Sequence, residues 1–160
     1  MGARANALAK QFEEASQAMT DALGRLSDAD WRKATSAEKW TVGVAAHHVA
    51  MGHAAIANLI KNVASGQSVP NMTMAMLDEM NAKHAREHAK CTKAETLELH
   101  KKNAATAAGM VRALSDAELD RSGSVLKGIP PMTAQQAVEQ ILIGHVKEHL
   151  GSIRTTVGAR

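Results

Sequence analysis

Ile141-Leu142-Ile143-Gly144-His145-Val146-Lys147-Glu148-His149, near the end of the 160-residue chain, sets two histidines four residues apart among apolar neighbours. On a helix, positions i and i+4 lie one above the other with Cβ atoms roughly 5–6 Å apart, so both imidazoles can reach one metal ion. Val138, Ile141, Leu142, His145, His149, Ser152 and Ile153 share one stripe at the helical period, which places the two rings where a core should be. A buried imidazole needs a partner. The spacing is equally met by two rings that make ordinary buried hydrogen bonds, so the choice rests on the rest of the chain.

Working outward, Thr133 with Gln136 has the form of a capping box, Pro130-Pro131-Met132 stops what precedes it, and the helical pattern runs to about Val157. Thr92 with Glu95 opens another helix through Leu97, Ala104, Ala108, Val111 and Leu114. At the other end of the chain, Leu8, Phe12, Ala15, Met19, Ala22, Leu23 and Leu26 mark a first helix from about Ala5 to Leu26. Ser27 and Asp30 read as a short capped turn, with Trp31 following in a polar loop. Thr41 then caps a helix from Val42 to about Val63 that ends at Ser65-Gly66, with Ala45, Val49, Gly52, Ile56, Leu59, Ile60 and Val63 as its buried stripe. Gln67 to Asn71 reads as a loop, and a further helix runs from about Met72 to Ala89 with a methionine-rich inward face. The run Leu114-Ser115-Asp116-Ala117-Glu118-Leu119 repeats Leu26-Ser27-Asp28-Ala29-Asp30-Trp31. In both, a helix ends, a polar loop follows, and a threonine caps a helix bearing a candidate ligand histidine. A duplicated helix pair leaves that pattern, and so does a shared capping solution.

Helix periodicity sorts the remaining histidines. His48 falls on one edge of the second helix's stripe beside the small residues Ala45 and Gly52, His53 falls on the other edge, and His47 lies nearly opposite and should be exposed. His53 reads as packing or hydrogen bonding. His84 and His88 form a rival pair on a stripe with Leu77 and Met80, but Lys90 and Thr92 follow, so a frayed helix end with partly exposed rings is expected there. This pair should not complete the site of His145 and His149.

Composition bounds the class. Hydrophobic residues make up 45% of the chain but aromatic residues only 2%, and helix formers dominate over strand formers, so the fold should be all-α in a single domain over residues 1–160. With Cys91 as the single cysteine no intramolecular disulfide can form, and a reducing, cytoplasmic setting is expected. No stretch approaches a membrane span or a signal sequence. The formal charge of +3 is small, and Lys83, Arg86, Lys90 and Lys93 are interleaved with Glu79, Glu87 and Glu95, without aromatics for base stacking. A solvated helix face is expected there rather than a nucleic-acid or membrane surface.

Leu26-Ser27-Asp28-Ala29-Asp30-Trp31, Trp40-Thr41-Val42 with His48 eight residues after Trp40, and His145-x-x-x-His149-Leu150-Gly151 together resemble the DinB/YfiT-like superfamily. The resemblance spans nearly the whole chain. Within the superfamily, the mycothiol-dependent maleylpyruvate isomerase N-terminal domains have an especially similar tryptophan, threonine and first-histidine pattern. The resemblance implies a four-helix bundle with an extra short helix or loop segment, a homodimer in many members, and one divalent metal, zinc or nickel, held by His48, His145 and His149. Ser152 stands where many members have glutamine, and His84 where an aromatic residue is common, so the substrate is not inherited.

Three neutral imidazoles leave the charge of a dipositive ion uncompensated, which acidifies bound water or stabilises an incoming thiolate. A closed structural site would carry a fourth protein ligand. Cys91, between two helices, is not placed to be one, and Glu148 points roughly 60° around the helix from His145. No phosphate loop or Rossmann signature is present. The expected function is that of a metal-dependent enzyme on a small molecule, using a low-molecular-weight thiol for transfer or isomerisation, with hydrolysis second. The alternative is a non-catalytic bundle whose histidine cluster serves structure or dimer assembly. Ligation requires neutral imidazole, so metal affinity is expected to fall below about pH 6.5.

Overall fold

The computed structural model describes residues 2–67 and 71–159, so residues 68–70 of the expected Gln67–Asn71 loop lie outside the described residues. The chain is all-α in its main elements: α1 (Ala3–Gly24), a one-turn α2 (Asp28–Trp31), α3 (Val42–Ser65), α4 (Met74–Glu87), α5 (Lys93–Arg112) and a short α6 (Asp116–Asp120). A two-residue hairpin pair, β1 (Ser122–Gly123) and β2 (Met132–Thr133), leads into a last helix. That helix comprises α7 (Ala134–Ala137), a π-helical stretch over Val138–Ile143, and α8 (Gly144–Val157).

Four long helices form the bundle: α1, α3, α5 and the α7–α8 rod. α5 packs against both α1 and α3, and the last helix closes the ring against the same two, which leaves α1 and α3 on a diagonal. The core between them holds Phe12, Met19 and Leu23 from α1, Val42, Val49, Ile60 and Val63 from α3, Val111 from α5, and Leu142 and Ile153 from the last helix. These are positions that the helical stripes select. Alanines such as Ala45, Ala104, Ala107 and Ala108 are buried beside them, so several helix contacts are made through small side chains.

The two sequence repeats fold alike. Ser27 and Asp30 form a reciprocal capping box, and so do Ser115 and Glu118. Each is followed by an antiparallel bridge to the threonine that caps the next long helix, Ala34 to Thr41 in the first case and Ser122 to Thr133 in the second. The first residue of each of those helices donates its N–H back across the bridge, Val42 to the Lys33 carbonyl and Ala134 to that of Arg121, both at 2.8 Å. The capping boxes and these two bridge bonds are shared by both units. The resemblance between the two stretches thus extends from capping into the hairpin that feeds each histidine-bearing helix.

Four expectations are corrected. Trp31 does not lie in a loop: it ends α2, donates from Nε1 to the Cys91 carbonyl at 2.9 Å, and packs so tightly on Gly43 that a Cβ there would sit 2.5 Å from the indole nitrogen. At the start of α5 only half of the expected capping box forms, with Thr92 Oγ1 accepting the Glu95 N–H and no return bond. α4 begins at Met74, after the Thr73 cap, and ends at Glu87. Its inward methionine face is absent: Met74, Met76 and Met80 are all exposed, and α4 buries no residue fully. No helix among the described residues is long and apolar enough to cross a membrane.

Candidate metal centre

His48, on α3, and His145 and His149, on α8, converge as the stripes predict. One ligating atom from each lies within 4.8 Å of the other two. Nε2 of His145 is 2.9 Å from Nε2 of His48, and the rings of His48 and His149 meet edge to face at 5.0 Å. Two ligands on a tetrahedral ion with nitrogen bonds of 2.0–2.1 Å stand about 3.3 Å apart, so a small opening of this contact suffices to admit an ion.

The surroundings orient the rings. His149 donates from Nδ1 to Glu38 Oε1 at 3.0 Å, which leaves its Nε2 free to face the other two, and Ser152 Oγ donates to Glu38 Oε2 at 2.7 Å. A carboxylate on the far nitrogen of a ligand histidine fixes its tautomer and raises its basicity. Burial works against the charge of Glu38, but the Thr35, Ser152 and His149 side chains outweigh it and hold the carboxyl below its ordinary range. Trp40 packs edge-on against His48 at 5.1 Å. Between Glu38 and Trp40, Lys39 takes a left-handed backbone conformation with φ 65, and the turn it makes presents both neighbours to the site. Glu38 sits in a loop without periodicity and was not among the sequence's candidates, whereas Glu148, which was weighed, is exposed.

Burial, followed by the neighbouring rings of His145, His149 and His84, lowers the pKa of His48 to about 3. Burial, His149 and His53 lower that of His145 to about 3 as well. Both rings are therefore neutral near pH 7, the state ligation requires. Nδ1 of His145 is buried with no hydrogen-bond partner among the described residues, so protein contacts alone do not satisfy this ring.

Small residues matter at one position. A Cβ on Gly52 would lie 2.8 Å from Cε1 of His145, closer than carbon atoms pack. Gly52→Ala should therefore displace that ring and weaken zinc binding in a calorimetric titration roughly 10-fold or more, while the added helix propensity keeps the fold intact. An unchanged affinity would show that His145 is not a ligand. A Cβ on Gly144, by contrast, would meet only the Glu139 carbonyl, at an ordinary 3.7 Å. Gly144 follows the π-helical stretch, whose wider turn changes the register with which His145 and His149 leave the core segment Val138–Ile143.

The other histidines depart from expectation in one respect. His47 is not exposed: at 8% exposure it lies under α4, with Nδ1 2.8 Å from Nε2 of His84 and its ring stacked 4.1 Å from that of His88. α4 folds back over the face of α3 that periodicity leaves to solvent. His84 and His88 are partly buried and, as expected, belong to a cluster of their own rather than to that of His48. His53 forms hydrogen bonds, as expected: its Nε2 lies 2.9 Å from Nδ1 of His100, whose Nε2 donates to the Ser16 carbonyl at 3.0 Å. His100 was not singled out in the sequence, although it shares a helical stripe with Ala104 and Val111, which would have placed it in the core.

A four-helix bundle that gathers histidines from its second and last long helices is the class that this fold and site define. The family model of the mycothiol maleylpyruvate isomerase N-terminal domain matches residues 12–142, and the chain belongs to that family. The matched span includes Glu38 and His48 and stops short of His145 and His149. Among solved structures, the mycothiol-dependent maleylpyruvate isomerase aligns at TM-score 0.75 and 14% identity, covering 96% of this chain and 63% of that one. The chain thus spans less than two thirds of that isomerase. YfiT from Bacillus subtilis, described as a probable metal-dependent hydrolase with an unusual four-helix bundle topology, aligns at TM-score 0.74 and 15% identity, covering 100% of this chain and 91% of that one. At these identities the structures share a fold. No curated protein matches the sequence.

Proposed function

We propose that the chain holds one divalent metal ion through His48, His145 and His149 and acts as a metal-dependent enzyme on a small molecule, with a low-molecular-weight thiol as co-substrate in transfer or isomerisation. The observation that carries this reading is the donor set: three converging imidazoles, one of them braced by a carboxylate, and no fourth ligand in the cluster among the described residues. An ion bound there would supply Lewis acidity and an open position for water or a thiolate.

The chain's own residues do the rest. Glu38 holds the Nδ1 proton of His149 and fixes the ring's direction, while Ser152 holds Glu38. Trp40 covers one edge of His48, and Gly52 allows His145 to approach α3. Cys91 is not a ligand: its thiol donates to the Gly43 carbonyl at 3.3 Å, and burial pushes its pKa up, against forming a thiolate. Zinc and nickel fit an all-nitrogen site better than magnesium or calcium. The similarity to a mycothiol-dependent isomerase supports a thiol as co-substrate, and that to a probable hydrolase makes water the second choice.

Cobalt-loaded protein titrated with mycothiol and with cysteine tests the reading. A thiol reaching the ion should produce sulfur-to-cobalt charge transfer in the near ultraviolet, and it should do so in the wild type but not in His149→Ala. If neither the thiols nor azide alters the spectrum, the site is closed to exogenous ligands and a structural role replaces the enzymatic one.

A further inference from the structure

We propose that His47, His84 and His88 form a second metal site, for an imidazole-preferring divalent ion such as zinc or nickel, which fastens α4 to α3 beside the first triad. One ligating atom from each of the three lies within 4.8 Å of the other two. His84 and His88 stand one turn apart on the end of α4, with ring centres 4.7 Å apart, and His47 meets both from α3.

Hydrogen bonding accounts for only part of this cluster. The contact of His47 Nδ1 with His84 Nε2 needs one donor and one acceptor, which two neutral rings can supply. It leaves Nδ1 of His84 buried without a partner, and the ring of His88 makes no hydrogen bond among the described residues. Elsewhere in the bundle His53, His100 and the Ser16 carbonyl form a hydrogen-bonded chain that ends on a backbone acceptor, with Nδ1 of His53 left buried without a partner among the described residues. No such acceptor ends the His47 cluster. Three rings aimed at one another are instead the donor set of a nitrogen-preferring ion.

A second observation, independent of ring geometry, is what holds α4. This 14-residue helix buries no residue fully, and its three methionines are exposed, so apolar burial supplies little to fix it. Its main neighbour in the bundle is α3. The three histidines reach across between the two, and an ion among them would turn a weak contact into a clamp. The clamp would also bear on the first site, because His47 and His48 are consecutive, about 100° apart on α3, and the ring of His84 lies 5.8 Å from that of His48. Ordering α4 would thus wall one side of the first triad.

Metal-free full-length protein titrated with zinc, with the bound ions counted after gel filtration, tests the proposal without reference to catalysis. The wild type should bind two ions, His145→Ala one and His88→Ala one, and the double variant none. Trypsin cleavage at Lys83 and Arg86 should be slowed several-fold by zinc in the wild type and in His145→Ala, but not in His88→Ala. Circular dichroism checks that each variant folds, and His88→Gln replaces His88→Ala if it does not. A wild type that binds one ion, lost in His145→Ala and kept in His88→Ala, overturns the second site and leaves the first. One ion lost in both variants means a single shared site and also overturns it. One ion lost only in His88→Ala upholds the second site and removes the first.

Discussion

His145→Ala is expected to lower the affinity of the first triad for zinc by roughly 100- to 1,000-fold, because about a quarter of the 10–16 kcal/mol that a four-ligand zinc site yields disappears with each ligand. The metal-free protein should barely notice. Truncation ends the contact with His48 Nε2 and the packing of the ring, but it also removes Nδ1, a buried polar atom without a partner among the described residues, and these effects oppose. Glu38→Gln makes the informative comparison. Its amide oxygen can still accept from His149 Nδ1, but the charge that makes the ring a better ligand is gone, so a loss of about 10- to 100-fold is expected. Competition titrations with a chromophoric chelator measure both. If Glu38→Gln costs as much as His145→Ala, the carboxylate binds the ion itself and the assignment of ligands changes.

That comparison turns on a residue that the sequence does not advertise. Helical stripes identify core positions because burial repeats every three or four residues, and they located Phe12, Val49, Leu142 and Ile153 as well as the convergence of His48 with His145 and His149. Caps were legible for a similar reason, since serine and threonine followed three residues on by an acid or glutamine satisfy specific orphan N–H groups. Glu38 has neither signal. Its place depends on the left-handed turn at Lys39 and on Thr35 pairing with the Trp40 carbonyl, both properties of one particular loop. His47 was misplaced because the stripe of α3 describes only the face toward the bundle. What covers the opposite face is decided by α4, whose own sequence carries no apolar stripe that packs. The burial of His47 is a tertiary event, visible only after two helices are brought together.

Below pH 6.5 the metal-free protein is expected to lose stability steeply. His48, His53 and His145 each have a pKa of about 3 in the folded chain, chiefly from burial, whereas in the unfolded chain each returns to about 6.5. The unfolded state therefore binds more protons throughout that window. The stability these neutral rings allow is complete above pH 6.5 and is lost as pH falls toward about 3. For His53, which is fully buried and lies outside both triads, the loss is on the order of 2 kcal/mol by pH 5. His48 and His145, whose ring nitrogens lie 2.9 Å apart, add to the loss in the same direction. Depressed folded-state values also bear on the expectation that metal affinity falls below about pH 6.5. In the folded chain, burial keeps His48 and His145 neutral well below it. Urea midpoints of the metal-free protein at pH 7, 6 and 5 measure the effect, and His53→Leu should flatten part of the slope. A midpoint unchanged from pH 7 to pH 5 would mean that these rings take up protons as readily in the folded chain as in the unfolded one, and that burial does not hold them neutral.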